Sequence, residues 1–204
     1  MTRLILIRHG QTDANVNKQY CGFNDPSLNS KGKLQAQLLK DQLKDKEIDA
    51  FYSSDLTRAF ETAQITFPNE SIKRIKYFRE YNFGVFEGLT YEQIMIQYPN
   101  IYPVWINDPS KKSIPQGDSY ITFSERIREG LKLLLEENCG KRIALVTHSG
   151  PIRLILSDVL NYEPDMFWKI KQDNAVINII NFNEETVEVE MINSQSLKDY
   201  PKTN

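Results

Sequence analysis

The chain has 204 residues, 40% of them hydrophobic and 25% charged, with a formal net charge of -2. That balance suits one globular domain with a sizeable core, or one domain with an inserted cap, and excludes a disordered chain. It also excludes a global basic field that would recruit nucleic acid or an anionic membrane, so an anionic substrate needs a local cluster of cations.

No apolar run approaches the ~20 residues of a membrane span. The N-terminus enters a strand-like run almost at once, without a signal-peptide layout. Cys21 and Cys139 are too few and too scattered for a disulfide framework or a zinc site. A reducing, cytoplasmic compartment is the expectation.

In chain order, Leu4-Ile5-Leu6-Ile7 predicts a buried strand that ends abruptly in Arg8-His9-Gly10. Turn signals follow between Cys21 and Gly32. Ser30 is expected to cap a helix running to about Leu43, with Leu34, Leu38, Leu39 and Leu43 on its apolar face. Residues 48–52 predict a second strand and Ser53-Ser54-Asp55 a cap for a helix carrying Leu56, Ala59, Phe60 and Ala63 inward. Residues 72–78 predict a third strand, followed by a loop from Glu80 to Gly88 rich in Phe, Tyr and Gly. Thr90-x-x-Gln93 has the spacing of a capping box for a short helix ended by Pro99.

From about Asn100 to Asp118 the chain holds Pro103, Pro109, Pro115 and Gly117, an irregular stretch long enough for a cap or lid. A helix is expected from Phe123 to about Glu137, a strand over residues 142–147, and a helix from Pro151 with proline in its first turn. Residues 175–182 and 186–193 predict a terminal hairpin, and the last ten or so residues read as a loose polar tail. The expected architecture is a three-layer α/β/α sandwich, its central sheet mostly parallel with an antiparallel edge. One domain spans 1–204, with a small lid insertion at about 81–120.

Both histidines of the chain stand at predicted strand ends, His9 after Arg8 and His148 after Thr147, each with a glycine close behind. Open α/β sheets bind ligands at that carboxyl edge. Arg58, Glu80 and Ser149 come from loops or helix starts at the same edge. Arginines and helix-end amides make a phosphate cradle. A neutral imidazole among cations is a candidate nucleophile, and a carboxylic acid beside the leaving oxygen can protonate it.

The stretch Leu6-Ile7-Arg8-His9-Gly10-Gln11-Thr12-x-x-Asn15 resembles the signature of the histidine phosphatase superfamily, the group that contains the cofactor-dependent phosphoglycerate mutases. Four further blocks match in order. They are Gly22 with Leu28-x-x-x-Gly32, Ser53-Ser54-x-Leu56-x-Arg58-Ala59-x-x-Thr62-Ala63, Glu80-x-x-x-Gly84-x-x-Glu87-Gly88, and Val146-Thr147-His148-Ser149-Gly150-x-Ile152-Arg153.

The resemblance implies His9 as the nucleophile that forms a phosphohistidine. It implies Arg8, Arg58 and His148 around the phosphoryl oxygens, and Glu80 as general acid and then base. Asn15 and the amides near Cys21, Gly22 and Ser149 would complete the pocket. It implies no metal and no cofactor. The expected partner is a small-molecule phosphate monoester, with no nucleic acid or membrane, and the chain would be a monomer or homodimer.

Three points stay open at this level. Arg79 and Glu87 are rivals of Glu80, and Glu87 reads better as a structural turn residue. The stretch Asn100–Asp118 offers only Lys111 and Lys112 to hold a second anionic group, which favours phosphatase over mutase; a non-catalytic binding member is the remaining alternative. Chain length, Trp105, the run Gln116-Gly117-Asp118-Ser119 and the closing hairpin are similar to the α-ribazole phosphatases of cobalamin biosynthesis and their broad-specificity relatives. Tyr20, Phe23, Tyr81, Phe83 and Phe86 either line a mouth for a flat aromatic substrate or simply pack their loops, and Trp105 and Trp168 read as packing.

Overall fold

A computed structural model describes residues 1–109 and 111–195; the expected polar tail lies outside the described residues. Six strands form one sheet in the order β3-β2-β4-β1-β5-β6. They are β1 (Thr2–Arg8), β2 (Ala50–Ser54), β3 (Ile72–Ile75), β4 (Arg142–Thr147), β5 (Ile177–Phe182) and β6 (Val187–Ser194). The first four run parallel to one another, and β5 and β6 add the antiparallel edge.

Leu4 and Leu6 point to one face of the sheet, Ile5 and Ile7 to the other, and all four are buried. A strand reads apolar on both sides when both faces are covered. After the short helix α1 (Asp13–Val16), helices α2 (Ser30–Leu43) and α3 (Thr57–Thr66) cover the Ile5/Ile7 face through Leu39, Leu43, Ala59 and Ala63. Helices α6 (Tyr120–Glu137) and α7 (Ser149–Val159) cover the Leu4/Leu6 face through Phe123, Ile127, Ile152 and Leu156. The molecule is a three-layer α/β/α sandwich.

Some elements differ from the sequence reading. In α2 the buried stripe is Gly32, Ala36, Leu39 and Leu43, while Leu34 and Leu38 are 56% and 53% exposed. Gly32 lets α2 approach the Gln11 backbone and Ala36 sits against Thr66 of α3, choices that leucine counting overlooks. The helix cap is the Asn29 side chain, which accepts from the Gly32 N–H, rather than Ser30. Ser53 and Ser54 belong to β2, and α3 starts without a side-chain cap. Strand β3 stops at Ile75 because a 3₁₀ turn over Lys76–Phe78 drives Phe78 into the core.

The expected capping box of Thr90 and Gln93 opens α4 (Tyr91–Gln97). The proline-rich stretch after it contains α5 (Tyr102–Asn107), which buries Tyr102 and Trp105. With Phe86, Ile94 and Ile114 these residues join the α6/α7-side core, so most of the segment from 81 to 120 is packed structure. Among the described residues no helix is long and apolar enough to cross a membrane.

The buried stripe of α2 makes a direct prediction. Leu39→Ala should cost about 2–5 kcal/mol and Leu38→Ala less than about 0.5 kcal/mol. Urea unfolding midpoints of the two variants check it; equal losses would contradict the assignment of faces.

Candidate active site

Strands β1 and β4 are parallel neighbours with Arg8 opposite Thr147. The His9 N–H donates to the Thr147 carbonyl at 2.9 Å, so the pairing persists one residue past β1. That register sets His9 beside His148, with ring centroids 5.2 Å apart. The turn after His9 is tight, because a Cβ on Gly10 would meet the Gly32 carbonyl oxygen at 2.5 Å.

The His9 Nδ1 lies 2.7 Å from the Gly10 carbonyl oxygen. A carbonyl only accepts, so Nδ1 carries the hydrogen and Nε2 keeps its lone pair. Burial pushes the His9 pKa well below its ordinary value, and the positive charges of Arg58 and Arg8 push the same way. His148 is displaced in the same direction by burial, then by Arg58, His9 and Arg8. Both imidazoles are therefore neutral near pH 7.

His148 Nε2 contacts Ser54 Oγ at 2.8 Å. That oxygen also accepts the Leu56 N–H at 3.3 Å, and its own hydrogen is available to the imidazole. In the tautomer that accepts from Ser54, the hydrogen of His148 sits on Nδ1, which is buried and has no hydrogen-bond partner among the described residues. Arg8 Nε is a second buried donor in that condition. One Arg8 Nη group donates to the Gln172 carbonyl, and burial lowers the Arg8 pKa to about 10. Buried donors without a protein partner are the kind of group that an anion satisfies.

Arg58, in the first turn of α3, is 1% exposed. It donates to the Asn24 and Gly22 carbonyls at 2.8 Å each. Glu80 is buried at the N-terminus of α7. Its carboxylate accepts from the Gly150 N–H at 3.0 and 3.1 Å, the Tyr81 N–H at 2.9 Å and the Ser149 hydroxyl at 3.0 Å. A Cβ at position 150 would lie 2.0 Å from Glu80 Oε1, so a larger residue there would push the carboxylate off the Gly150 amide.

Arg8, His9, Asn15, Cys21, Glu80 and Ser149 all line one cleft of about 500 Å³. Arg58 and His148 are buried rather than lining it, but Arg58 acts electrostatically on both imidazoles. The rivals of Glu80 lie elsewhere: Arg79 is paired with Asp55 at 2.6 Å, and Glu87 holds backbone amides.

Asn15 uses its Oδ1 to accept from the Thr12 N–H at 3.0 Å and from Asn174 at 3.1 Å, which leaves its amide hydrogens as the donor toward the cleft. Cys21 is a half-buried wall residue whose thiol is pushed up by burial, the direction of an inert thiol. Gly22 needs correction as a binding residue. Its N–H donates to Glu87 at 3.0 Å, and the residue does not line the cleft. Of the five rings proposed for an aromatic mouth, Tyr20, Tyr81 and Phe83 line the cleft. Phe86 is core, and Phe23 lies under the guanidinium groups of Arg79 and Arg126.

Sequence reasoning missed Asn174, which donates to the His9 carbonyl at 3.2 Å, and Lys18, which faces the cleft. It quoted Arg153 without a role; that side chain lines the cleft and donates Nε to the Ile170 carbonyl at 2.7 Å. Trp168, read as packing, also lines the cleft while stacking edge-on against Trp105.

The family model of the histidine phosphatase superfamily, branch 1, matches residues 4–195. Phosphoserine phosphatase 1 of Hydrogenobacter thermophilus is 30% identical over 186 residues, 90% of this chain and 88% of its own. Adenosylcobalamin/alpha-ribazole phosphatase of Escherichia coli is 27% identical over 197 residues, 96% of this chain and 97% of its own. The crystal structure of the alpha-ribazole phosphatase from Shigella flexneri superposes with a TM-score of 0.88 at 29% identity, covering 95% of this chain and 97% of that one.

The fold and the site together define an α/β enzyme that acts on phosphate esters. The chain belongs to the histidine phosphatase superfamily, and it is a phosphatase.

Burial of two neutral imidazoles makes stability depend on pH with a fixed sign. The folded-state pKa values lie below the unfolded value of about 6.5. Their contribution is therefore complete above that pH and is lost as pH falls, because the unfolded chain takes up protons that the folded one refuses. Between pH 6 and pH 5 the unfolding free energy should fall, both histidines acting in the same direction. Urea titrations across that range check it, and a flat profile would contradict neutral burial.

Proposed function

We propose that the enzyme hydrolyses phosphate monoesters through a covalent phosphohistidine on His9. The observation that carries this is the His9 imidazole itself: Nδ1 is committed to the Gly10 carbonyl, and Nε2 is free, neutral and set among cations. The Nε2 lone pair attacks phosphorus and the ester P–O bond breaks. Arg8, Arg58 and the His148 Nδ1–H hold the phosphoryl oxygens as charge builds on them. Glu80 serves as the acid, its carboxyl hydrogen passing to the departing alkoxide. A water then enters, loses a proton to the Glu80 carboxylate and attacks the phosphohistidine, releasing inorganic phosphate and restoring both side chains. Two guanidinium groups supply the positive charge that a metal would otherwise bring, so no metal or cofactor enters this reading.

Asn15, Ser149 and the wall at Cys21 complete the phosphate pocket in this account, while Gly22 supports the turn behind it. The reading treats residues 1–204 as one phosphatase domain whose segment at about 81–120 caps the cleft. Phosphatase is favoured over mutase because Lys111 and Lys112 do not line the cleft, and Lys111 is paired with Asp108 at 3.3 Å. The convergence of His9, Arg8, Arg58, Glu80 and His148 argues against a non-catalytic module. Two unpaired thiols support a cytoplasmic setting.

For the substrate we propose α-ribazole 5'-phosphate, and hence a step in cobalamin biosynthesis. Similarity to enzymes of that name and a cleft walled by Tyr20, Tyr81, Phe83 and Trp168 support it. Phosphoserine is the second reading, favoured by the relative of that name and by Arg153 and Lys18, which suit a carboxylate.

His9→Ala should lower p-nitrophenyl phosphate turnover by at least about 10³-fold; undiminished activity would refute the nucleophile. In kcat/KM, which reports ester cleavage alone, Glu80→Gln should slow alkyl phosphates at least about 10²-fold more than p-nitrophenyl phosphate, whose leaving group needs little proton help. Equal losses on both would remove Glu80 as the acid. The ratio of kcat/KM for α-ribazole 5'-phosphate to that for phosphoserine should exceed about tenfold, and a reversed ratio would move the assignment.

A further inference from the structure

Glu87 takes no part in the chemistry above, yet its carboxylate is the most heavily used acceptor near the cleft. It accepts the N–H groups of Gly22 at 3.0 Å, Phe23 at 2.8 Å, Asn24 at 3.1 Å and Phe83 at 3.0 Å. The carbonyls of the same turn point the other way. Those of Gly22 and Asn24 accept from Arg58, and that of Cys21 lies 3.4 Å from the same guanidinium. One short turn is thus gripped from both sides, its donors on a carboxylate and its acceptors on the catalytic arginine.

The rest of the turn is fitted to this arrangement. A Cβ on Gly22 would lie 1.9 Å from the Tyr81 carbonyl oxygen and 2.5 Å from Glu87 Oε1, so only glycine lets the amide reach the carboxylate. Asp25 ties the end of the turn to α3 by accepting from the Thr57 N–H at 2.6 Å and the Thr57 hydroxyl at 2.8 Å. The Phe23 ring is held under Arg79 and Arg126.

We infer that Glu87 is a positioning residue for phosphoryl transfer: by fixing the 22–24 turn, it aims the Arg58 guanidinium at the phosphoryl group. A guanidinium presents its donors in a rigid fork. Two of them are spent on carbonyls that Glu87 holds still, so the direction of the remainder is set by the turn. Release of the amides lets the turn rotate, and the fork rotates with it. A catalytic group displaced by an ångström loses much of its effect. The inference rests on the proposed role of Arg58 in holding the phosphoryl oxygens.

The test is a double-mutant cycle on kcat for p-nitrophenyl phosphate with wild type, Glu87→Gln, Arg58→Gln and the double variant. Glutamine keeps the size of Glu87 but turns one acceptor into an NH₂ that faces backbone N–H groups. Arg58→Gln should cost ~10²-fold. Glu87→Gln should cost ~10-fold or more in the wild-type background, but less than ~2-fold when Arg58 is already glutamine. Inhibition by orthovanadate should weaken in step with kcat, while KM and the urea midpoint move little.

An equal loss from Glu87→Gln in both backgrounds, or no loss in wild type, would overturn the inference and leave the proposed function standing. Wild-type activity in Arg58→Gln would instead refute the Arg58 role on which the inference rests. Should Glu87→Gln fail to fold, Glu87→Asp, which keeps the charge and shortens the reach, goes through the same cycle. It is expected to lose kcat only while Arg58 is present, and additivity would overturn the inference.

Discussion

The parallel pairing of β1 with β4 is the constraint on which the site depends. It sets Arg8 opposite Thr147 and thereby brings the residues that follow each strand to the same point on the sheet edge. His9 and His148 meet there because both strands end in step, and the His9 N–H still bonds across to Thr147. Neither histidine is carried by a flexible loop. Each is the first residue beyond a strand whose apolar run is buried, so the packing of the sheet locates both imidazoles. The N-terminus of α7 begins at the same edge and brings Ser149 and the Gly150 amide to Glu80.

Burial then sets the chemistry. An imidazole in water is partly protonated near neutrality and is a poor nucleophile in that state. Here desolvation and two guanidinium groups keep both imidazoles neutral, and the hydrogen bond to Gly10 decides which nitrogen of His9 is free. The cations have costs of their own: Arg8 is buried deeply enough to lower its pKa, and Arg58 is almost wholly enclosed. Backbone carbonyls of the 22–24 turn and of Gln172 offset part of that cost. In the proposed mechanism a phosphoryl group supplies the counter-charge that the donors lack.

Much of this was legible in the sequence because it is written in strand ends. Leu4–Ile7 followed by Arg8-His9-Gly10 and Ile143–Val146 followed by Thr147-His148 each show an apolar run and a chemical residue in one glance. The α/β/α sandwich followed from strand–helix alternation. What stayed hidden depends on contacts between distant segments. Glu80 and Glu87 are both acidic residues on one loop, and only the direction of the backbone decides that Glu80 faces Gly150 while Glu87 faces the 22–24 amides. Gly22 looked like a ligand amide because its partner, 65 residues away, is not visible in sequence. Asn174 precedes β5 in a stretch without pattern and reaches His9 only because β5 lies beside β1. Leu34 and Leu38 misled because helical spacing marks a leucine-rich face, whereas close approach to the Gln11 backbone selected Gly32 and packing against α3 selected Ala36.

The most direct test of the central claim is to trap the phosphoryl group on the enzyme. The protein is mixed with p-nitrophenyl phosphate, quenched in alkali within the first turnovers, and the peptide that contains His9 is examined by mass spectrometry. The account predicts a phosphate on His9 that appears as the first p-nitrophenolate is released. Phosphate on another residue, or none on His9 at any time during turnover, would contradict it.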